Sequence, residues 1–219
     1  MNYEIIGAID ILRDWVKELP DLSEDERFYL TTLARKKYQA DLPTSLQSFG
    51  RFLVKKERII QTIAECQVEL DLYKAKGVTV KNGLVVYMHP NPRDLRKATL
   101  KSFAVLGQRL STNTPFNPIN DLHTVAQKTP GNKKWVSFDF DEADVGKQDT
   151  LKSRIRAITD DSTTFIVTSG GFHALVESSK CPKSQWYTEI VKLGPDVKGD
   201  MLSPIPGTWQ GSHLVDFER

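Results

Sequence analysis

Within residues 135–141 (WVSFDFD), apolar and polar side chains alternate from Val136 onward, and this alternation constrains the fold more than any other feature of the chain. Successive side chains of a β-strand point to opposite faces of the sheet, so Phe138 and Phe140 share one face and Asp139 and Asp141 share the other. The two carboxylates are then about 7 Å apart along the strand. Like charges so placed are unfavourable unless they are neutralised, and carboxylate oxygens are ligands of Mg²⁺ and Mn²⁺. The segment predicts a strand with an aromatic buried face and a divalent-metal site on the other.

The composition indicates a folded chain, because 39% of its 219 residues are hydrophobic. A chain of this size folds as one large domain or as one domain with a smaller appendage. The formal net charge is only +2, so binding to nucleic acid would depend on local clusters of Lys and Arg. Cys66 and Cys181 have no second cysteine at metal-ligand spacing, which favours free thiols over a zinc site or a disulfide.

The N-terminus does not read as a targeting signal. Residues 1–12 mix Glu4 and Asp10 with apolar residues and lack the basic start and apolar stretch of a signal peptide. The chain also lacks a run of about 18 apolar residues. We expect a soluble, cytoplasmic protein without a membrane partner.

Residues 1–76 are predicted to form a helical N-terminal module. Ser23 followed by Glu26 matches a capping box, which marks the start of a helix. Apolar residues at helix spacing then favour helices from Arg27 to Tyr38 and from Leu46 to Leu72.

After Gly77 the pattern changes to a β-hairpin and a helix. Asn82-Gly83 separates the β-rich runs 78–80 and 84–88, and Asn-Gly in this position is a strong hairpin signal. Residues 90–94 (PNPRD) end the second strand, and residues 95–110 have the pattern of an amphipathic helix.

From Trp135 onward the elements follow the order β-α-β-β-α-β, which is the ferredoxin-like (RRM-like) arrangement. We predict an α+β fold in which residues 77–219 are the catalytic domain. Its elements are strands at 135–141, 164–168, 172–177 and 212–217, and helices near 148–159 and 183–193.

The usual ferredoxin-like strand order predicts where distant residues meet. The third strand lies antiparallel beside the first, so His173 sits next to Asp139 and Asp141. The last strand flanks the first on its other side and brings its beginning, Gly211, to the same end. The helices cover the aromatic face and leave the charged face open for a ligand.

These residues resemble the archaeo-eukaryotic primase superfamily, which includes primase small subunits and the primase-polymerases of phages and plasmids. Phe138-Asp139-Phe140-Asp141 is similar to its first motif, and Ser169-Gly170-Gly171-Phe172-His173 is similar to its second. The resemblance covers roughly residues 78–217. It implies metal-dependent nucleotidyl transfer, in which acidic residues bind two divalent ions and the histidine contacts the phosphates of the incoming nucleotide.

The family's third motif is a later acidic residue, which here is Asp196, Asp200 or Asp216. Asp216 lies near the far end of the last strand, well over 10 Å (~3.3 Å per residue) from the metal end in the predicted topology. Asp200 is the preferred third ligand and Asp196 the second choice, because both precede the loop that enters the last strand. We therefore expect Asp139, Asp141 and Asp200 to hold Mg²⁺ or Mn²⁺.

Further residues are candidates for binding nucleotide or DNA. A glycine turn lets phosphate oxygens approach backbone N–H groups, and basic residues at the start of a helix also hold phosphates, although both features are equally typical of plain structural turns. The candidates are Ser169, Gly170, Gly171, Arg93, Lys97, Thr208 and Gln210.

The resemblance implies a DNA primase or primase-polymerase that copies a single-stranded DNA template from nucleoside triphosphates, encoded by a bacterium, an archaeon, a phage or a plasmid. A helicase or accessory primase factor would be a separate polypeptide. Two other functions use the same features. One is a non-catalytic, RRM-like protein that binds single-stranded nucleic acid through exposed aromatic residues. The other is a metal-dependent nuclease or nucleotide hydrolase.

Overall fold

The computed structural model describes residues 4–38, 48, 50–75, 84–112, 114–115, 117–181, 185–197 and 200–219. This part of the chain has an α+β fold with antiparallel sheets. Its helices are α1 (Ile9–Glu18), α2 (Ile59–Ala75), α3 (Leu95–Ser111), α4 (Pro118–Gln127), α5 (Val145–Thr159) and α6 (Trp186–Val191). Its strands are β1 (Glu26–Ala34), β2 (Gly50–Val54), β3 (Leu84–Met88), β4 (Arg93–Asp94), β5 (Trp135–Phe140), β6 (Thr163–Thr168), β7 (Gly171–Glu177), β8 (Ser203–Pro204), β9 (Trp209–Gln210), β10 (His213–Leu214) and β11 (Asp216–Glu218). None of the described helices combines the length and the apolar character needed to cross a membrane.

The first sheet corrects the prediction of a helical N-terminal module. Its strand order is β2-β1-β3-β8, and β4 pairs with the start of β1. The predicted helix from Arg27 to Tyr38 is wrong, because this segment is the central strand β1, almost entirely buried. Side chains that are buried on both faces of a sheet favour aromatic and β-branched residues, which β1 supplies in Phe28, Tyr29 and its two threonines.

The residues of the predicted capping box do contact each other, but they precede a strand. The backbone N–H of Ser23 donates to Glu26 Oε2 at 3.0 Å. The other carboxylate oxygen, Glu26 Oε1, accepts from the backbone N–H of Asn132 at 2.6 Å. The Glu26 side chain thus joins two loops at the start of β1, which is a tertiary contact that the local motif does not reveal.

The rest of the first half agrees with the sequence in part. The predicted helix 46–72 is β2 in its first half and α2 in its second. The strand 84–88 is confirmed as β3, and the helix 95–110 is confirmed as α3. The Asn82-Gly83 turn and the run 78–80 lie outside the described residues. The division after residue 76 stays a prediction, and the β1–β3 ladder runs across it.

The second sheet has the order β11-β6-β7-β5. Strands β5, β6 and β7 and helix α5 are confirmed, and α6 lies within the predicted helix 183–193, of which residues 183–184 lie outside the described part. Strand β7 is antiparallel to β5, as predicted. The predicted place of the last strand is wrong, because β11 pairs with β6 at the opposite edge.

The course of residues 203–215 explains why the last strand does not reach β5. Strand β8 pairs with β3 of the first sheet, and the carbonyl of Gly207 accepts from the backbone N–H groups of Gly7 and Ala8. Because of these contacts, the chain passes beside the N-terminal residues before β11 joins the second sheet at β6. The predicted ferredoxin-like order is therefore not confirmed.

The two faces of β5 belong to two hydrophobic cores. Phe138 and Phe140 pack with Ile155 of α5 and Ile190 of α6, which confirms the predicted aromatic face. The opposite face was predicted to be open, but it is covered along part of its length. Trp135 stacks on Trp15 of α1 with ring centroids 5.8 Å apart.

Gly171 is the glycine on which the β5–β7 contact depends. A Cβ atom at this position would lie 1.9 Å from the carbonyl oxygen of Phe140, at a φ of +154° that side chains rarely adopt. We expect Gly171→Ala to lower the free energy of unfolding by more than about 1 kcal/mol. Gly107→Ala is the matched control, because open space surrounds that position in α3, and it should stabilise by about 0.5–1 kcal/mol. Urea denaturation measures both, and a neutral Gly171→Ala would contradict the described β5–β7 approach.

Candidate functional site

Asp139 and His173 face each other across β5 and β7, as predicted from the sequence. They are direct partners in the antiparallel register, and His173 Nε2 lies 3.6 Å from Asp139 Oδ1. His173 Nδ1 is 3.0 Å from the hydroxyl of Ser203 on β8. Contacts on both nitrogens fix the orientation of the ring.

Burial lowers the pKa of His173, and the negative charges of Asp139 and Asp141 oppose this effect. Because burial has the larger effect, the imidazole is neutral near pH 7 and has one N–H to donate. Asp141 directly follows β5, so it lies at the same strand end as the pair of Asp139 and His173.

Asp196 occupies the free edge of β5, where the last strand was expected. The backbone N–H of Asp139 donates to the carbonyl of Asp196 at 3.2 Å, and the N–H of Asp196 donates to the carbonyl of Asp139 at 2.8 Å. Residues that exchange both hydrogen bonds are direct partners in an antiparallel ladder, and their side chains leave the same face. The acidic side chain of Asp196 is therefore on the same face as Asp139 and His173.

Asp200, the preferred third metal ligand, has another role. Its Oδ2 lies 2.6 Å from Nη1 of Arg93, and its Oδ1 accepts from Asn91 Nδ2 at 3.3 Å. The Arg93 side chain is 1% exposed and that of Asp200 is 13% exposed. Asp200 is thus the counter-charge of a buried guanidinium, and the structure does not bring it to Asp139 and Asp141.

The same contacts correct the prediction that Arg93 binds phosphates. Asn91 is fully buried and links the turn before Arg93 to the start of β5. Its side chain accepts from the backbone N–H groups of Lys134 and Trp135, both at 2.9 Å, and donates to the carbonyl of Trp135 at 2.8 Å. The PNPR segment is therefore a structural clamp, and Arg93 has no access to a ligand from solvent.

Arg35 follows the end of β1 and is held by a side chain of β3. Arg35 Nη1 donates to the hydroxyl of Tyr87 at 2.9 Å. This hydrogen bond raises the pKa of Arg35, and the negative charge of Asp139 contributes to the same effect. No sequence motif joins Arg35 to Asp139.

The glycine turn between β6 and β7 also lies under the residues that follow β1. Lys37 Nζ is 3.0 Å from the place where a Cβ of Gly170 would be, and the hydroxyl of Tyr38 is 3.4 Å from Ser169 Oγ. Gln210 Oε1 accepts from the backbone N–H of Ser169 at 2.8 Å. The candidates Ser169, Gly170 and Gln210 therefore lie together at the turn between β6 and β7.

Two other candidate residues lie elsewhere. Thr208 is fully buried, and its hydroxyl donates to the carbonyl of Ile205 at 2.7 Å, so it supports a turn. Lys97 pairs with Asp94 at 2.9 Å, in the segment that joins the start of β1. Arg35 follows the other end of β1, about 30 Å away at the usual rise per residue.

The carboxylates fit a hard divalent ion that is completed by substrate. Within the described ranges, no three His, Cys, Asp or Glu side chains are close enough to hold a metal ion, so the predicted three-residue set is not assembled. Mg²⁺ is commonly bound by one or two carboxylates together with waters and substrate phosphates. Asp139 is 27% exposed and Asp141 is exposed, so both are accessible to an ion with its phosphates.

Sequence reasoning missed Arg35, Lys37, Tyr87 and Ser203. Arg35 and Lys37 lie within residues 27–38, which the sequence pattern predicts as a helix, so nothing linked them to the end of a strand. A signal existed in the β-branched and aromatic residues of β1, which place the basic run just after a strand. Ser203 has no local signal, because its contact with His173 spans 30 residues.

Removal of the Asp200 charge should destabilise the fold. Asp200→Asn leaves the buried guanidinium of Arg93 without its counter-charge, and breaking such pairs typically costs about 3–5 kcal/mol. The free energy of unfolding in urea measures this loss. Asp149→Asn, on the exposed side of α5, is the control and should change stability by less than about 0.5 kcal/mol.

A double variant separates charge from packing. Arg93→Met with Asp200→Leu removes both charges and should be more stable than either single variant, because no buried charge remains uncompensated. Wild-type stability in Asp200→Asn would contradict the buried ion pair and reopen a role for this carboxylate in the site.

No protein-family model, curated protein or solved structure matches this chain. What supports a function is the position of Asp139, Asp141, Asp196 and His173 at one end of β5.

Proposed function

We propose that this chain is a divalent-metal-dependent nucleotidyltransferase of the primase-polymerase type. The single observation that carries the proposal is the direct pairing of Asp139 with His173, at the strand end where Asp141 and Asp196 add carboxylates. The proposed substrates are nucleoside triphosphates, and the proposed template is single-stranded DNA. The resemblance of the two motifs to the archaeo-eukaryotic primase superfamily supports the same reaction class.

Asp139 and Asp141 are proposed to hold Mg²⁺ or Mn²⁺ together with substrate phosphates, and Asp196 replaces Asp200 as the additional carboxylate at this end of β5. When bound there, the ions supply the charge that lowers the pKa of an attacking 3′-hydroxyl and stabilise the transferred phosphoryl group. Asp196 replaces Asp200 because its backbone is fixed to that of Asp139, whereas Asp200 is neutralised inside the protein.

His173 is proposed to bind the triphosphate by donating its N–H to a phosphate oxygen. Its neighbours Ser203 and Asp139 restrict the ring, so little orientational freedom is lost when the nucleotide binds. The neutral imidazole serves this purpose in the tautomer in which Nδ1 accepts from the hydroxyl of Ser203, because its one N–H is then on Nε2, the nitrogen on the side of Asp139.

Arg35 and Lys37 are proposed to balance the phosphate charge. The hydroxyl of Tyr87 fixes the guanidinium of Arg35, and Lys37 lies over the glycine turn. The turn itself can present backbone N–H groups to phosphate oxygens. In this proposal the carboxylates contact the polyanion through the metal ions, and the basic residues contact it directly.

The RRM-like binding function has less support. Proteins of that kind stack bases on aromatic residues of an open sheet face. The equivalent face of β5 is covered here, since Trp135 is buried against Trp15, and Leu175 of β7 belongs to the same core. The β5-β7-β6 neighbour order is shared with ferredoxin-like units, but the accessible end carries carboxylates.

The nuclease or hydrolase function uses the same carboxylates and is separated by its products. A labelled primer on a longer single-stranded template, incubated with nucleoside triphosphates and Mn²⁺ or Mg²⁺, is lengthened by a polymerase. A nuclease shortens it, and a nucleotide hydrolase leaves it intact while releasing phosphate.

Asp139→Asn, Asp141→Asn and Asp196→Asn should each reduce nucleotide incorporation by at least about a hundredfold, because metal ions supply several kcal/mol of transition-state stabilisation. Primer extension measures the rate, and thermal unfolding checks the fold. Asp149→Asn serves as the control and should keep wild-type activity. Full activity in the Asp139 and Asp141 variants would contradict the proposed metal site.

His173→Gln should weaken the binding of a fluorescent nucleoside triphosphate by about tenfold or more, because hydrogen bonds to charged groups contribute about 1.5–3 kcal/mol. Binding of single-stranded DNA should change little. Ser203→Ala keeps the imidazole and removes only the hydrogen bond that orients it. Its loss of triphosphate affinity should therefore be smaller than that of His173→Gln. Unchanged triphosphate affinity in both variants would assign His173 a structural role.

A further inference from the structure

One face of helix α3 packs against the rest of the protein, and the opposite face does not. Ala98, Ser102, Val105 and Arg109 follow helix spacing on the packed face. Arg109 pairs with Asp121 of α4 at 3.0 Å, so this face lies on the neighbouring helix.

The opposite face carries large apolar side chains in solvent. Leu100 is 64% exposed, Phe103 is 66% exposed and Leu110 is 61% exposed. Together with Gly107 they follow the i, i+3, i+7, i+10 spacing of a single helix face, and we name these four residues the α3 stripe. A surface helix normally has polar residues there, so the α3 stripe has the pattern of a helix that contacts a partner.

Gly107 leaves a gap in the surface of the α3 stripe. A Cβ atom at this position would meet nothing within 4 Å, so the surface has a gap between Phe103 and Leu110. A gap flanked by two large apolar side chains receives an apolar side chain of a docked helix, as in helix-in-groove recognition. Ile119, at the start of α4, adds another exposed apolar residue (69%) on the helix that packs against α3.

Charge selects the kind of partner. Helix α3 contains no Asp or Glu and four cations, which are Arg96, Lys97, Lys101 and Arg109. Within the part of the chain that the structure describes, Lys97 and Arg109 have carboxylate partners, and no ion pair joins Arg96 or Lys101 to a described acid. The N-terminal half of α3 is thus positively charged beside the α3 stripe.

We propose that the α3 stripe is the docking surface for an acidic amphipathic helix of a partner protein. A second copy of α3 is disfavoured, because it would bring four cations against four. Nucleic acid is disfavoured because three of the four stripe positions offer no aromatic ring on which a base could stack. The proposal is independent of the proposed catalytic function.

The probe is a synthetic, fluorescein-labelled amphipathic peptide of about 18 residues, with leucines at i, i+3, i+7 and i+10 and glutamates flanking them. Fluorescence anisotropy with the full chain should show saturable binding. Phe103→Ser should weaken binding at least about tenfold, as expected for a central apolar anchor. Val145→Ser is the matched control, because Val145 is 69% exposed on α5, and it should bind as wild type does.

A charge exchange tests the second part of the proposal. The same peptide with lysine in place of every glutamate should bind the wild type weakly, and the double variant Arg96→Glu, Lys101→Glu should reverse this preference. All three variants change exposed residues, and circular dichroism confirms that they fold.

Four results would overturn the proposal. They are the absence of saturable binding by the acidic peptide, an equal loss in Val145→Ser, equal affinity for the basic peptide, and occupation of the surface by something else. The last is detected either as a dimer in analytical ultracentrifugation that Phe103→Ser abolishes, or as competition between the peptide and a single-stranded DNA oligonucleotide.

Discussion

Burial of β5 on both faces is the constraint on which the rest of the structure depends. Phe138 packs under α5 and α6, while Trp135 stacks on Trp15 of α1. Cover on the second face decreases along the strand, from Ser137 at 1% exposure to the partly exposed Asp139 and the exposed Asp141. The polar side chains therefore emerge at one end only. The candidate site lies there because that is where the second core ends.

The protein contains two arrangements of opposite charges with different consequences. Arg93 and Asp200 form a closed pair inside the protein, and such a pair has no capacity left for a ligand. Asp139 lies with Asp141 and Asp196 at an accessible end of β5, and its negative charge acts on Arg35. Charged groups that remain accessible are typical of sites that bind charged substrates. The backbone contact of Asp196 with Asp139, four residues before the buried Asp200, joins the closed pair to the open site.

Helix α3 lies apart from this arrangement, since it begins near the start of β1 and Arg35 follows the end of that strand. A partner docked on its exposed face would therefore leave the end of β5 accessible. Recognition and the proposed chemistry would then use opposite ends of the first sheet.

The sequence by itself determined which residues share a face. The alternation in residues 135–141 predicted β5, its aromatic buried side and the carboxylates opposite, and the order of elements predicted that His173 would meet Asp139. These inferences succeeded because the period of side-chain direction is a local property of the backbone. The helix predicted for Arg27–Tyr38 failed because the pairing of β1 with β2 and β3 is non-local and overrode a local capping signal.

Only the tertiary structure decided which segment occupies the free edge of β5. The loop at Asp196 takes that edge, and β11 pairs with β6, because residues 203–215 form hydrogen bonds with the first sheet and the N-terminal residues. That choice placed Asp196 beside Asp139 at the edge of β5, while Asp200 pairs with Arg93. Competition between distant backbone donors and acceptors settles such choices, and no spacing within the sequence records its outcome.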